Sequence, residues 1–402
     1  MTALSIAGRQ PGIHASAETW VTWYWSDLLP AWVEHAMDPA GQGFVDALGP
    51  DGQPQEPQRR SVLAQARLLY TFAHLARISD RPVYRAAARR AFDALPAFRK
   101  SNGLYARARQ ANGDPTDQAP DALATSYDQS FVILGLITWA DLAQDTESAA
   151  ATDACWEAID SNLVDPATGL LLEHDGLKNP AEPTAPPRAQ NPHMHLYEAA
   201  LQACEMTGDR AWLDRAGALR AKALAHFWDA ESGSIMEFRA PDLSLLPGRD
   251  GQRREVGHQC EWAWLLAREV QLGGDPALRD TAERLLNFAD RFGFATDAPL
   301  AGAAFDAVAA DGSWSEPTFL LWPQTEAIKA HAIRAGRGDF AKRGRDLAQL
   351  MFRYYFAGRR VFANQLDATG APLWPDALSR LHYHLVLALT EGARAGMWRD
   401  PD

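Results

Sequence analysis

The chain has 402 residues, of which 47% are hydrophobic and 14 are tryptophan, which is enough apolar material for a large buried core. Its formal net charge of −12 argues against nucleic acid or an anionic membrane as a partner. The three cysteines, Cys155, Cys204 and Cys260, have no metal-binding spacing, as expected in a reducing cytoplasm. No signal peptide and no membrane-spanning apolar run is visible, so we expect a cytoplasmic protein.

Apolar residues at helical spacing predict twelve helices along the chain. They are expected near 17–37, 60–79, 82–98, 122–144, 147–162, 192–207, 209–228, 257–272, 275–291, 322–335, 338–356 and 379–397. Short connections alternate with long ones of about twenty to thirty residues, which is far beyond the usual loop length. We expect residues 1–16 to be loosely ordered and residues 1–402 to form a single domain.

The long loops resemble one another and alternate with the helices in a fixed order. Most carry a glycine, an alternating stretch and then a turn-forming pair, as in Gly43-Phe44-Val45 to Asp51-Gly52. These stretches predict short β-hairpins on one rim. The second helix of each pair begins near 61, 124, 193, 257, 322 and 381, a spacing of about 64. The pattern predicts an all-α (α/α)6 barrel with the even-numbered helices inside. An open solenoid is the alternative, but polar capping repeats are not visible.

In such a barrel, each long loop leads into an inner helix, so that six helix N-termini meet at one end. Unusual polar residues recur at these positions: Gln65, Arg67, Tyr127, Asp128, Asn191, His193, His195, Glu198, His258, Glu261, Trp322, Gln324, Glu326, His382 and His384. A single buried pair such as His258 and Glu261 would more often belong to a core. Because polar residues recur at the same place in five or six repeats, the sequence favours a pocket.

Helical spacing decides which histidines face inward. His382 and His384 are two residues apart, about 200° around a helix, so they cannot share a face. His384 precedes an apolar stripe and is the inward candidate. His195 shares its face with Glu198, which leaves His193 and His382 to face the rim or to bond a neighbouring backbone group.

Three inward histidines, each with a glutamate three or seven residues further on, suit either a metal or acid–base chemistry. A metal site is disfavoured because the histidines come from three repeats without a carboxylate-rich ligand set. Acid–base catalysis by imidazoles is favoured, and a glutamate on the same face would fix the tautomer.

The other polar and aromatic residues suit a sugar. Tyr127, Trp262 and Trp322 offer flat apolar faces to a sugar ring, and Arg67, Asn191 and Gln324 can bond hydroxyls. A glycosidase would need two carboxylates, which Asp128, Glu198, Glu261 and Glu326 could supply, but it has little use for the histidines.

Five segments are similar to the N-acylglucosamine 2-epimerase superfamily, over about residues 40 to 395: Gln65-Ala66-Arg67, Asn191-Pro192-His193-Met194-His195-Leu196-Tyr197-Glu198-Ala199, Gly257-His258-Gln259-Cys260-Glu261-Trp262-Ala263-Trp264-Leu265-Leu266, Leu321-Trp322-Pro323-Gln324-Thr325-Glu326-Ala327 and Tyr383-His384. The His-Gln-x-Glu-Trp-Ala-Trp form most resembles the D-mannose isomerases and related aldose–ketose isomerases.

The resemblance implies cofactor-free proton transfer between C1 and C2 of an open-chain sugar, through a cis-enediolate. Under it, His258 and His384 match the two acid–base histidines and His195 the third pocket histidine. Arg67 matches the arginine that holds substrate oxygens, and Glu261 the partner carboxylate.

We therefore expect an isomerase of D-mannose and D-fructose that needs no cofactor and no metal. Its catalytic residues would be His258, His384, His195 and Glu261, and its substrate-binding residues Arg67, Tyr127, Asp128, Asn191, Glu198, Trp322 and Gln324.

Several alternatives stay open within this expectation. They are a 2-epimerase of the N-acylglucosamine or cellobiose type, an isomerase of D-lyxose or sulfoquinovose, and a catalytically silent sugar-binding protein. A phosphosugar is disfavoured, because Arg67 stands without a basic cluster. The expected partner is a monosaccharide, not nucleic acid or a membrane, and the expected state is a monomer or homodimer.

Overall fold

The chain is mainly helical in the computed structural model, which describes residues 4, 10–37, 43–55, 58–79 and 81–400. The α-helices are α1 (Ala17–Trp23), α2 (Leu29–Ala36), α3 (Val62–Ile78), α4 (Pro82–Ala94), α5 (Ser126–Ala143), α6 (Thr146–Asn162), α7 (Asn191–Thr207), α8 (Arg210–Phe227), α9 (Gly248–Gln252), α10 (Val256–Gln271), α11 (Leu278–Phe292), α12 (Leu321–Ala332), α13 (Phe340–Met351) and α14 (His382–Arg394). A π-helical turn, Tyr24–Leu28, joins α1 to α2, and another, Phe352–Phe356, extends α13.

Six of these helices, α3, α5, α7, α10, α12 and α14, form an inner ring. Each contacts the next one along the chain, and α14 returns to contact α3. The outer helices pack against them, for example α4 against α3 and α11 against α10, and α1 contacts α13 to close the outer layer. The predicted (α/α)6 barrel and its twelve helices are therefore confirmed, and α9 is a short addition within a loop.

Inner and outer helices differ in how much of their surface is apolar. In α5, every residue from Asp128 to Ala140 is buried, because the helix touches two inner neighbours, an outer helix and the centre of the barrel. The outer helix α11 buries Leu285, Leu286 and Ala289 but exposes Arg284 and Asn287. One apolar stripe is enough for a helix with solvent on its far side.

Short strands lie at the rim where the inner helices begin. They are β1 (Ala47–Leu48), β2 (Arg59–Ser61), β3 (Ala108–Gln110), β4 (Arg188–Ala189), β5 (Trp228–Asp229), β6 (Ser234–Ile235), β7 (Phe238–Arg239), β8 (Arg253–Glu255), β9 (Ala307–Ala309), β10 (Thr318–Leu320), β11 (Gln365–Asp367), β12 (Pro372–Trp374) and β13 (Ala377–Leu378). The pairs β5–β6 and β11–β12 are hairpins within a loop, as predicted.

A second set of antiparallel pairs, which the sequence did not indicate, joins neighbouring repeats. The segment before each inner helix pairs with the loop of the next repeat in β2–β3, β4–β7, β8–β9 and β10–β11, and β13 returns to β1. Between the second and third repeats the same role falls to a single bridge, Thr125 with His174. The rim is thus tied together all the way round.

In five of the six inner helices, α3, α5, α7, α10 and α12, one side chain near the start of the helix holds the long loop that precedes it. The glutamines Gln65, Gln129, Gln259 and Gln324 accept the backbone N–H and donate to the backbone carbonyl of Phe44, Tyr105, Ile235 and Ala304 respectively. In α7, His193 accepts from the N–H of Leu171 through Nε2, and its Nδ1 lies 3.1 Å from the carbonyl oxygen of Ala189. We call these five residues the loop clamps.

The predicted N-terminal segment, 1–16, is described only at residues 4 and 10–16, and its other residues lie outside the described part of the chain. Leu4 is buried, and the Gln10 amide donates to the carbonyls of Phe356 and Arg359 at 3.0 and 2.8 Å. None of the described helices is long and apolar enough to cross a membrane. The single-domain organisation stays a prediction.

Candidate active site

A cavity of about 230 Å³ lies at the rim where the six inner helices begin. Eight of the predicted site residues line it: Arg67, Tyr127, Asn191, His195, His258, Glu261, Trp322 and His384. Every inner helix contributes at least one of them. They meet because each long loop enters its inner helix at the same end of the barrel.

His384 faces the cavity from α14, as the helical spacing predicted, and it is 4% exposed. Its Nδ1 lies 2.8 Å from Oε1 of Glu326, and its Nε2 lies 3.4 Å from Nη1 of Arg67. The glutamate seven residues on, Glu391, was the expected partner but instead accepts from the indole N–H of Trp264. Seven residues correspond to about 10 Å along a helix, too far for one side chain to reach the other.

His258 also faces the cavity, but its carboxylate partner differs from the prediction. Its Nδ1 donates to Glu237 at 2.7 Å and lies 3.3 Å from Glu255. Glu261, the expected partner, makes no hydrogen bond within the described structure, although it lines the cavity and is fully buried. Helical side chains lean towards the N-terminus of the helix, so His258 meets the preceding loop and not the next turn.

His195 does pair with the glutamate predicted for it. The distance from its Nδ1 to Oε2 of Glu198 is 3.0 Å, and the other oxygen of Glu198 accepts from the hydroxyl of Tyr383. Glu198 is fully buried behind His195. Glu198 does not line the cavity and both of its oxygens are already engaged, so its substrate-binding role stays a prediction.

Two of the three cavity histidines, His258 and His384, have opposite protonation preferences. Burial opposes the charging of His258, but the carboxylates of Glu237, Glu255 and Glu261 outweigh it and raise the pKa of His258 to about 9. Burial, with the cations Arg67 and Lys329, lowers the pKa of His384 well below its ordinary value. At neutral pH His258 is therefore an imidazolium and His384 a neutral imidazole.

A group of buried charges, which we call the Lys329 cluster, lies beneath the cavity and consists of Lys329, Glu326 and Glu261. Nζ of Lys329 is 2.5 Å from Oε2 of Glu326 and 4.0 Å from Oε1 of Glu261. All three residues are fully buried. An isolated buried charge is costly, so these groups depend on one another for their ionisation.

Aromatic rings line the cavity, but not all of the predicted ones do. The half-buried Trp322 lies between the histidines, with ring centroids 4.9 Å from His258 and 5.9 Å from His384. Trp262, predicted as a sugar platform, is instead buried against Tyr197. Trp374, on the hairpin strand β12, also lines the cavity.

Two further predicted substrate-binding residues lie outside this cavity. Asp128 lines a neighbouring cavity that shares Tyr127 and Arg380 with the first, and burial raises the pKa of Asp128 to about 6. Gln324 is a loop clamp whose amide oxygen and nitrogen both bond the backbone, and its substrate-binding role stays a prediction. His382, as predicted, points away from the cavity: it is fully buried and its Nδ1 lies 2.8 Å from the Tyr24 hydroxyl.

Several site residues were missed from the sequence. Glu237 and Asn364 are loop residues without any periodic signal, and only the fold brings them to the site. Two other site residues could have been identified from their spacing in the sequence. Glu255 stands three residues before His258, and Lys329 stands three after Glu326 on a helix face that is otherwise apolar.

Three groups of histidine and glutamate are close enough to hold a metal ion in the described structure: His195, Glu198 and Glu261; Glu237, Glu255 and His258; and Glu261, Glu326 and His384. In each group a histidine already pairs with a carboxylate. Such pairing supplies the tautomer control that acid–base chemistry needs, and the metal-free reaction stays a prediction.

Residues 43–388, most of the chain, match the model of a known family, N-acylglucosamine 2-epimerase (GlcNAc 2-epimerase). The chain belongs to this family. It is 31% identical to a mannose-6-phosphate isomerase from Rhizobium meliloti (strain 1021) over 401 residues, covering 94% of this chain and 97% of that protein. The resemblance predicted from the motifs is thus confirmed, and the protein is a sugar isomerase or epimerase.

Solved structures of the family share this fold. A D-mannose isomerase superposes with a TM-score of 0.75 at 20% identity, covering 92% of this chain and 98% of the other. A cellobiose 2-epimerase from Bacillus thermoamylovorans B4167 superposes with a TM-score of 0.77 at 16% identity, covering 92% and 99%. At these identities the likeness establishes the barrel and leaves the reaction outcome open.

Proposed function

We propose that the protein interconverts D-mannose and D-fructose by proton transfer through a cis-enediolate. The observation that carries this proposal is the pairing, in one cavity, of a neutral His384 with a protonated His258. Two titratable groups with pKa values driven apart are the usual mark of an acid and a base.

His384 acts as the base. Its Nε2 faces the cavity and takes the proton from C2 of the open-chain aldose, while Glu326 holds the opposite ring nitrogen. The same nitrogen returns the proton to C1, so that C2 loses one hydrogen and C1 gains one.

His258 acts as the acid. Its imidazolium gives a proton to the carbonyl oxygen O1 as the enediolate forms and takes one back from O2 as the ketose carbonyl forms. Glu237 and Glu255 stabilise the charged form. No net oxidation occurs, because hydrogen moves only from C2 to C1 and from O2 to O1.

Three further side chains bind the sugar. Arg67, held by a 2.6 Å bond from its Nη2 to the Tyr127 hydroxyl, directs its guanidinium at the developing enediolate oxygens. Glu261 and the Asn191 amide oxygen are buried beside the cavity and lack hydrogen-bond partners in the described structure, so substrate hydroxyls are their natural donors.

Isomerisation is preferred over 2-epimerisation because the relative that matches nearly the whole chain is named an isomerase. An epimerase would use the same residues with the two imidazoles on opposite faces of the enediolate. Proton NMR of D-mannose with the enzyme in D2O tests the choice. Fructose carrying deuterium at C1 supports isomerisation, glucose as the first product means epimerisation, and no exchange at C1 or C2 overturns both.

A second candidate substrate is D-mannose 6-phosphate. The sequence disfavoured a phosphosugar because Arg67 stood alone. In the structure, Arg380, just before the start of α14, lines the same cavity. Two guanidinium groups at one site suit a phosphate. The relative named above is a mannose-6-phosphate isomerase. Comparing kcat/KM for the two substrates, in the wild type and in Arg380→Gln, decides between them: a selective loss with the phosphate ester would favour the phosphosugar.

For the setting of the reaction, we propose a monosaccharide-sized substrate, a monomer or homodimer, and a cytoplasmic location. The three cysteines are buried and free, which fits a reducing compartment.

A further inference from the structure

The Lys329 cluster raises the question of why a lysine is buried directly behind the candidate base. Lys329 is 0% exposed, and its ammonium lies 4.0 Å from the ring centroid of Trp264 and 2.5 Å from Glu326. A buried cation destabilises the fold unless an anionic partner compensates its charge. Glu326 is that partner, and it also bonds His384.

The direction of each hydrogen bond follows from which groups can only donate. The guanidinium of Arg67 has no acceptor, so Nε2 of His384 must accept from it. The hydrogen of the neutral imidazole then sits on Nδ1, and Oε1 of Glu326 accepts it.

The other oxygen of Glu326 lies beside a cation. Nζ of Lys329 is 2.5 Å from Oε2, which makes the two groups a buried ion pair. The ammonium beside Oε2 and the imidazole N–H on Oε1 both favour the carboxylate form of Glu326.

We propose that Lys329 is a positioning residue that keeps Glu326 ionised and so holds His384 as the Nδ1–H tautomer, with the lone pair on the Nε2 that faces the cavity. This inference rests on the proposed role of His384 as the base. The proposal assigns a role to a residue that contacts neither the cavity nor the substrate.

The charges around Glu326 explain why a cation is needed. The groups that face it are Glu261 from α10, Glu198 from α7, His384 from α14 and Lys329 from its own helix. Burial and the negative charge of Glu261 raise the pKa of Glu326, and the ammonium of Lys329, 2.5 Å from Oε2, opposes that rise and favours the carboxylate. Without Lys329, Glu326 would take up a proton and could donate it to Nδ1, which would place the imidazole hydrogen on Nε2.

The kinetic test uses Lys329→Met and Glu326→Gln. In Lys329→Met we expect kcat to fall by about 10- to 100-fold, as when other residues that orient a histidine are removed, with KM little changed. Raising the pH should restore part of the loss, because Glu326 then ionises without help. Glu326→Gln cannot ionise and should show the loss without that recovery. Lys329→Arg keeps the charge and should lie closer to the wild type.

The decisive measurement is the tautomer of His384 in the free protein, by 15N NMR of its imidazole, assigned through His384→Gln. The wild type should carry hydrogen on Nδ1 only, and Lys329→Met should show hydrogen on Nε2. An unchanged tautomer together with an unchanged pH profile would overturn the proposal. If Lys329→Met fails to fold, Lys329→Gln and Glu326→Gln supply the same comparison.

The tautomer measurement needs no substrate, so the two proposals fail separately. Absence of proton exchange with mannose would refute the proposed isomerisation and leave the tautomer result standing.

Discussion

At the scale of single residues, His258 and His384 differ in what their Nδ1 atoms meet. His258 meets two carboxylates, Glu237 and Glu255, and is held as a cation. His384 meets one carboxylate that it shares with Lys329, and a guanidinium lies at its other nitrogen. An imidazole charges or stays neutral according to such neighbours, so two chemically equal side chains become an acid and a base.

The first prediction separates His384 from its neighbour two residues earlier. His384→Gln should abolish deuterium exchange at C2 of mannose, because it removes the proposed base. His382→Gln should leave the exchange rate of folded enzyme largely intact, since His382 does not line the cavity and its Nδ1 meets the Tyr24 hydroxyl. Proton NMR in D2O measures both variants, and the reverse result would show that the wrong histidine was assigned.

The second prediction concerns pH and Glu237. His258, with its pKa raised to about 9, is a cation below that pH and neutral above it, so kcat/KM should decline as the pH rises through about 9. Glu237→Gln removes the carboxylate that favours the cation, and the decline should move to lower pH. Glu231→Gln, at an exposed position of the same loop, is the control. An unmoved profile in Glu237→Gln would mean that His258 is not the acid.

The third prediction concerns metal ions. Because the histidine of each candidate metal group already pairs with a carboxylate, dialysis against a chelator should leave kcat unchanged. Loss of activity that a divalent ion restores would contradict the metal-free mechanism and would direct attention to Glu237, Glu255 and His258.

At the scale of elements, the loop clamps show what repetition along a sequence means. Four inner helices place a glutamine, and one a histidine, where the side chain bonds the preceding loop. Five of the six long loops have this support, so the residue recurs. The reacting groups are the ones that recur least: His384 in α14, Arg67 in α3 and His258 in α10. The recurrence of polar residues at the start of each inner helix correctly predicted where the rim lies. It could not distinguish the loop clamps from the site residues.

The fourth prediction tests this distinction with Gln324→Ala. The variant leaves buried backbone groups of Ala304 without partners, which costs about 1–3 kcal/mol of unfolding free energy. KM for the sugar should not change. Denaturant unfolding and steady-state kinetics measure the two effects. Gln271→Ala, at an exposed site on α10, is the control. A raised KM without loss of stability would return Gln324 to the substrate-binding residues.

At the scale of the whole molecule, the site depends on closure of the ring. All six inner helices line the cavity, and α14 meets α3 while β13 pairs with β1. Residues at the two ends of the chain, Arg67 and His384, therefore contact each other.

The fifth prediction follows from this closure. Thermal loss of activity and thermal loss of helical circular dichroism should coincide, because no repeat can unfold without removing part of the site. An open array of repeats would lose its ends first. Activity that disappears well below the helical transition would show that the ring opens before it unfolds.

The sequence by itself determined the barrel, the rim and most of the cavity lining. Helical periodicity and a fixed repeat are local properties of the sequence. They sufficed to predict twelve helices and to predict that His195 and His384 face inward. Only the tertiary structure shows which carboxylates pair with His258 and His384. Glu237 reaches His258 from a loop and Glu326 reaches His384 from another helix, because hydrogen bonds form between neighbours in space. Protonation depends on those neighbours, so which histidine is the acid and which the base follows from the fold.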